Sequence, residues 1–256
     1  MRVCLLASGS KGNSIYLETG ESRILIDAGL SASELLRRLG SVGVDGPELD
    51  AILISHEHTD HIRGAGTFAR KLKKPILVSH RTHKAASSFF GKADVIEFES
   101  GNRFIFKDIS IDPFPITHDA ADPVGFVIES GEGRFGIATD LGIATKLVKE
   151  KLKRCRVVVL ESNHDEEMLL NGPYPWYLKQ RIKSRHGHLS NRESAELLDE
   201  IIHPGLNAVF LAHLSEVNND PTVALDVAKC LLQSRELCSP SLILGDQHST
   251  SRMLSV

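Results

Sequence analysis

Short apolar runs rich in Val and Ile recur along the chain, each bounded by Gly, Asn or Asp. Such runs predict β-strands at 3–7, 14–18, 23–26, 51–54, 76–78, 95–98, 103–106, 109–114, 124–128, 134–139, 157–160, 208–212 and 241–244. Helical spacing appears between them. Residues 31–39 open with Ser-x-Ser-Glu and place Leu35, Leu36 and Leu39 on one face. Residues 190–202 open with a Ser190/Glu193 capping box and carry an Ala195, Leu198, Ile202 stripe. The span 221–237 follows an Asp220-Pro221 start signal. Strands dominate early and helices increase later. With no repeat, no low-complexity tract and no Pro/Gly/Ser linker, one domain over 1–256 with sheets packed between helices is expected.

Composition narrows the class. The chain has 256 residues, 41% hydrophobic and 25% charged, with a formal net charge of −3. That excludes a polycation held to nucleic acid by bulk charge and a disordered acidic tail. No apolar run approaches the ~18 residues of a membrane span, and the apolar N-terminal run is too short for a signal peptide. The four cysteines form no C-x-x-C pair. A soluble cytoplasmic protein with buried free thiols is expected. The outlier is 12 histidines against 1 Trp and 3 Tyr.

Those histidines are not scattered. Residues 51–61 read Ala-Ile-Leu-Ile-Ser-His-Glu-His-Thr-Asp-His, so a buried strand runs into His56, His58, Asp60 and His61. In extended backbone, residues two apart point the same way, and His56 and His58 can grip one ion. Asp60 and His61 lie one step on, within reach of a second. A polar turn at a helix start is the competing reading of this string. Further ligand types close three other apolar strands: His118, Asp140 and His213. Singly, His118 reads as a loop histidine and Asp140 as an N-cap for a helix near Ala144. Jointly they supply what the first motif lacks.

In these motifs the chain resembles the metallo-β-lactamase superfamily, from Asp27 in Leu-Ile-Asp-Ala-Gly through the histidine string and Asp140 to His213. The resemblance implies an α/β fold, a four-layer αββα sandwich with two divalent metal ions at one sheet edge. It assigns His56, His58 and His118 to one ion, Asp60, His61 and His213 to the other, Asp140 between them, and Asp27 to a supporting role behind the ligands. Two ions ~3.5–4 Å apart acidify a bridging water to hydroxide and neutralise charge on the attacked group. Nitrogen and carboxylate ligands suit manganese, zinc or iron. Histidine at position 58, where diiron oxygen-reducing members typically carry Glu, points to hydrolysis.

Within the superfamily, Ser184-Arg-His186-Gly-His188-Leu-Ser190 is similar to a stretch of ribonuclease Z-type phosphodiesterases. There a histidine protonates the leaving group or holds the scissile phosphate. His188 matches that position, and Glu161 matches the glutamate that orients it. His186 is a weaker candidate. A loop histidine near a cap is the plain alternative for His188. Leu6-Ala-Ser-Gly-Ser-Lys-Gly-Asn-Ser, Glu161-Ser-Asn-His-Asp and Leu211-Ala-His-Leu-Ser-Glu-Val-Asn-Asn-Asp-Pro resemble the bacterial YycJ (WalJ) family. That resemblance implies a 5′-to-3′ DNA exonuclease activated by manganese and linked to DNA repair. No large insertion separates Asp140 from His213, so the clamp domain of β-CASP nucleases is not expected.

Charge patterning supports a DNA partner independently. Residues 61–93 hold no acid and eight basic residues, and 168–192 hold no acid and five: Lys179, Arg181, Lys183, Arg185 and Arg192. Together they leave −16 for the remainder, so near-neutrality averages over a polar molecule. Lys179, Arg181, Lys183 and Arg185 are candidate phosphate contacts. Trp176 in the same window is a candidate stacking surface, although inward packing of Trp176 and Tyr177 is the expectation for the aromatics alone. His164 is an evenly balanced candidate for substrate contact. The Gly9–Asn13 stretch reads as a hairpin turn in preference to a phosphate cradle. A DNA phosphodiesterase with catalytic Asp60, His188 and Glu161 leads. A small-molecule ester or cyclic-phosphate hydrolase and a metal-stabilised, non-catalytic DNA-binding scaffold are the alternatives.

Overall fold

The computed structural model describes residues 1–235 and 237–256. Along the chain the first half contributes β1 (Arg2–Ala7), β2 (Ser14–Glu18), β3 (Arg23–Ile26), α1 (Ala32–Ser41), β4 (Ala51–Leu53), α2 (Thr59–Ile62), α3 (Ala65–Leu72), β5 (Ile76–Ser79), α4 (His80–Phe90) and β6 (Val95–Phe98). The second half contributes β7 (Phe104–Phe106), β8 (Ile109–Pro115), β9 (Val124–Ser130), β10 (Gly133–Ala138), α5 (Lys146–Leu152), β11 (Val157–Glu161), α6 (Glu166–Asn171), α7 (Trp176–Ile182), α8 (Asn191–Ile201), β12 (Ala208–Ala212), α9 (Pro221–Arg235), β13 (Ser241–Leu244) and β14 (Leu254–Ser255). Every expected strand is present within two residues of its expected ends, and β14 is an addition. The last expected helix stops at Arg235; Glu236 lies outside the described residues and Leu237 is not helical.

The strands form two seven-stranded sheets, in the orders β14-β1-β2-β3-β4-β5-β6 and β13-β12-β11-β10-β9-β8-β7. Each sheet is mixed. The β3-β4-β5-β6 run is parallel in the first, and β10-β11-β12-β13 is parallel in the second. Alternation along each strand explains the layers. In β11, Val157 and Val159 enter the core between the sheets with Phe126 and Ile26, while Val158 and Leu160 pack beneath α5 and α8. Both faces are covered, which is why the parallel strands read as unbroken apolar runs. Leu35 and Leu39 of α1, Phe68 of α3 and Phe90 of α4 cover the other sheet. The result is the α/β sandwich expected, with layers in the order α, β, β, α. Among the described residues no helix is long and apolar enough to cross a membrane.

The parallel runs matter for the site. The carboxyl ends of β3, β4, β10, β11 and β12 open onto the same edge of the sandwich. Asp27 and Asp140 immediately follow, or lie just beyond, the ends of β3 and β10, and His213 follows β12. All three have left-handed backbone, with φ of 59°, 58° and 57°. Such a conformation costs a non-glycine residue about 1–2 kcal/mol, and half of the six such residues among those described stand at strand ends on this edge.

Candidate metal centre

His56, His58 and His118 bring three ring nitrogens together. His58 Nδ1 lies 3.1 Å from His56 Nε2 and 3.2 Å from His118 Nε2. Their hydrogen bonds fix which nitrogen carries the proton. His58 Nε2 donates to the Asp119 carbonyl (3.2 Å) and His118 Nδ1 to the His186 carbonyl (3.1 Å). Ser55 Oγ donates to Asp27 Oδ2 and therefore accepts from His56 Nδ1 at 3.0 Å. Each ring is left with a lone pair on the nitrogen that faces the other two. Three lone pairs aimed at one another repel unless a cation sits among them.

The second cluster joins Asp60, His61 and His213, with Asp140 alongside. Asp27, reached by Ser55 N and Oγ at 2.8 Å, also accepts from His61 Nδ1 at 2.7 Å. His61 Nε2 then faces Asp140 Oδ2 at 3.2 Å and Asp60 Oδ2 at 3.5 Å. His213 donates from Nδ1 to Glu161 Oε1 at 2.9 Å. Its Nε2 and the Oδ2 of Asp140 are buried with no hydrogen-bond partner among the described residues. Orphaned buried acceptors are rare, and a metal ion explains this pair. Electrostatics agree. Burial alone would lower the pKa of both His61 and His213; Asp140 and Asp27 around the first, and Asp140, Asp60 and Glu161 around the second, outweigh it and hold both well above the ordinary imidazole value. The carboxylates demand a positive charge here. Around His56 and His118, burial dominates and lowers the pKa, which keeps both rings neutral for ligation.

Asp140 does not cap the next helix. Thr145 caps α5, and Asp140 stands between the clusters, its Oδ1 4.0 Å from His118 Nε2 and 3.5 Å from His213 Nδ1. All seven ligand-type residues named from the sequence thus meet at one edge.

Beside them, Glu161 is fully buried at the end of β11. Its Oε2 accepts from Leu141 N (3.0 Å) and Leu189 N (3.1 Å), and its Oε1 from His188 Nδ1 at 2.8 Å. Burial would raise its pKa, but the charges and hydrogen bonds of His188 and His213 outweigh that and hold it at about 2. Glu161 therefore stays ionised and turns the other nitrogen of His188, Nε2, toward the cleft. The loop that carries His188 rests on Gly142. A Cβ there would lie 2.4 Å from the Arg185 carbonyl and 2.6 Å from Gly187 N, so only glycine permits the approach.

A cleft of about 210 Å³ opens against His118 and His188. Tyr174, Leu178, Arg181 and Ile182, on and just before α7, form its other wall. Arg181 also holds Asp119 Oδ2 through Nε (3.0 Å) and Nη2 (2.7 Å), which ties α7 to the carbonyl that orients His58.

The substrate candidates divide. Arg181 is exposed on the cleft wall, Lys183 and Arg185 are exposed in the segment between it and His188, and Lys179 is half-buried with Nζ on the Leu170 carbonyl. Trp176 is 63% and Tyr177 73% exposed, so the expectation of inward packing is overturned; α7 buries no residue at all. His164 is 2% exposed, paired through its backbone with Ser190, and absent from the cleft wall. Of the 61–93 basic window, Arg81 stands just past the carboxyl end of β5, at the metal edge. Lys71, Lys73, Lys74 and Lys92 precede the amino ends of β5 and β6 and lie at the opposite edge. Sequence reasoning missed Ser55, Asp119 and Asn13, whose Nδ2 is 3.2 Å from Asp60 Oδ2 and 3.0 Å from His61 Nε2. Adjacency to the histidine string was the available signal for Ser55.

Comparison with known proteins agrees with this geometry. The beta-lactamase superfamily domain matches residues 22–213, and the chain belongs to that superfamily. Among its relatives, exodeoxyribonuclease WalJ of Streptococcus pneumoniae is 39% identical over 220 residues, covering 84% of this chain and 82% of WalJ. Exodeoxyribonuclease YycJ of Bacillus anthracis is 37% identical over 220 residues, covering 84% and 83%. Among solved structures, the metallo-beta-lactamase fold protein YhfI of Bacillus subtilis superposes with a TM-score of 0.74 at 16% identity, over 97% of this chain and 98% of YhfI.

Proposed function

We propose that this protein is a metal-dependent phosphodiesterase that removes nucleotides from DNA, a 5′-to-3′ exonuclease with a place in DNA repair. The observation that carries the reading is the convergence of two donor clusters beside one cleft, with His188 on the cleft wall and Glu161 behind it. The relatives named as exodeoxyribonucleases support DNA as the polymer. The 5′-to-3′ direction and manganese are what the family resemblance implies. The catalytic unit is the single domain over 1–256, without a clamp insertion, and the cytoplasm is its compartment.

His56, His58 and His118 would hold one divalent ion, Asp60, His61 and His213 the other, with Asp140 shared. When bound, the two ions supply Lewis acidity, lowering the pKa of the attacking water and neutralising charge on the phosphate. The protein's own groups do the rest. Asp60 orients the water against the phosphorus. Attack forms a P–O bond, with the water's proton passing to solvent, and breaks the bond from phosphorus to O3′ of the departing nucleotide. His188, held by Glu161, gives its Nε2 proton to that O3′, a role contributing about 10²–10⁴-fold. Asp27 and Ser55 keep His61 and His56 in ligand orientation. Arg181, Lys183, Arg185 and Lys179 receive the phosphates of the strand, and Trp176 offers a face for a base.

The test compares hydrolysis of DNA with that of a small phosphodiester such as bis-p-nitrophenyl phosphate across a salt series. DNA cleavage falling steeply with salt supports the reading, because phosphate contacts release counterions. Efficient, salt-independent turnover of the small ester with no action on DNA would favour a small-molecule hydrolase.

A further inference from the structure

The loop between β1 and β2 does more than turn the chain. Asn13, nearly buried, meets the Asp60–His61 turn with both backbone and side chain. Its backbone N donates to the Asp60 carbonyl at 2.7 Å, and its carbonyl accepts from Gly29 N at 2.9 Å. Its Oδ1 accepts from Gly9 N at 2.9 Å, which sets the amide so that Nδ2 faces the site. From there Nδ2 reaches both Asp60 Oδ2 and His61 Nε2, the two atoms that face the second cluster from this turn.

The loop is latched from its other side. Gln247 accepts from Lys11 N at 2.7 Å through Oε1 and donates to the Gly12 carbonyl at 3.1 Å through Nε2. Gln247 is itself fixed: buried Arg38 donates to its backbone carbonyl. The clearance is tight, since a Cβ on Gly29 would collide with the Asp60 carbonyl. No atom of this loop belongs to the seven ligand-type residues, yet the loop is bonded to two of them, Asp60 and His61.

We infer that Asn13 is a positioning residue for the second metal site, and that Gln247 is the latch that holds it there. The inference rests on the proposed two-ion site. The Asn13 amide donates to one Asp60 oxygen and lies against His61 Nε2. With an ion at this cluster, His61 Nε2 would give its lone pair to the metal, while the amide keeps its donation to Asp60 and so aims the carboxylate. Partners of this kind alter metal affinity by about 10–100-fold when removed.

The experiment is calorimetric titration of metal-stripped protein with Mn²⁺ alone, on wild type, Asn13→Ala and Gln247→Ala, with thermal melts of each stripped protein beside it. Wild type is expected to take two ions. Asn13→Ala should weaken the second event about 10–100-fold and leave the first unchanged, and Gln247→Ala, which touches no ligand, should act in the same direction with a smaller loss. Unchanged affinity in both variants overturns the inference, and so does equal weakening of both events in Asn13→Ala. Wild type that binds no Mn²⁺ overturns the two-ion reading and this inference with it.

Discussion

Glu161 Oε1 stands 2.8 Å from His188 Nδ1 and 2.9 Å from His213 Nδ1, so one buried carboxylate orients both a ligand-type histidine and the histidine on the cleft wall. The two imidazoles are held by the same oxygen, and the other oxygen is occupied by Leu141 N and Leu189 N. The geometry of ion binding and that of proton donation therefore share a single anchor.

His188→Ala should lower kcat by about 10²–10⁴-fold while metal content and DNA affinity stay near wild type. Glu161→Gln is more damaging. Its amide N–H₂ must face either two histidine N–H groups or two backbone N–H groups, so a donor meets donors whichever way it turns. Loss of the buried charge should cost about 3–5 kcal/mol in urea unfolding, with weaker metal binding as well. Single-turnover kinetics and metal analysis of both variants separate the two effects; a His188→Ala enzyme of unchanged kcat removes His188 from the mechanism.

Gly142→Ala should act on the site through the backbone. The added methyl must push back the 185–187 backbone, and with it His188 and the His186 carbonyl that orients His118. Activity should fall at least tenfold, since a displacement near 1 Å costs about that or more. An enzyme of full activity would show that the loop accommodates the methyl.

The two edges of the sandwich give opposite expectations for charge. Lys183→Ala with Arg185→Ala should flatten the plot of log affinity for DNA against log salt, by roughly 0.7–0.9 per lost phosphate contact. Lys73→Ala with Lys74→Ala, at the far edge, should leave the slope unchanged. Trp176→Ala should weaken single-stranded DNA about tenfold without lowering stability, because the ring is exposed. A filter-binding or anisotropy series reads all three.

Cys155 provides a pH test remote from the site. Burial pushes its thiol up to about 11 from an ordinary 9.0. The folded chain keeps the proton while the unfolded chain loses it from about pH 9, so stability is full below that and falls as pH rises toward 11. The loss is about 2–3 kcal/mol. Urea melts from pH 8 to 11 should show a flatter decline for Cys155→Ala. At pH 8 an alkylating reagent should label exposed Cys230 and spare Cys155 until unfolding.

Most of the sandwich was legible because its strands are apolar on both faces and broken by Gly, Asn and Asp. β14 was not, since Leu254 and Ser255 are too few to show alternation. The short helices α2, α3 and α4 were hidden for a different reason: their buried faces rest on a few residues, Ile62, Ala65, Phe68, Ala69, Ala86 and Phe90, set among ligand and basic side chains. The ligand residues were readable because they cluster at strand ends. Asn13 was hidden inside a stretch that reads as a turn, and it is a turn; nothing in Gly-Ser-Lys-Gly-Asn tells which way an amide points. The outward face of Trp176 and the far-edge placement of Lys73 and Lys74 depend on how α7 and α3 pack, which one-dimensional charge windows do not record.

The most direct measurement follows 5′-end-labelled single- and double-stranded DNA incubated with metal-stripped protein to which Mn²⁺, Zn²⁺ or Mg²⁺ is returned. Release of labelled mononucleotide from the 5′ end, absent without metal and nearly absent in His188→Ala, is the result expected of a two-ion DNA exonuclease. Intact DNA with every metal, or cleavage that persists in the stripped protein, contradicts it.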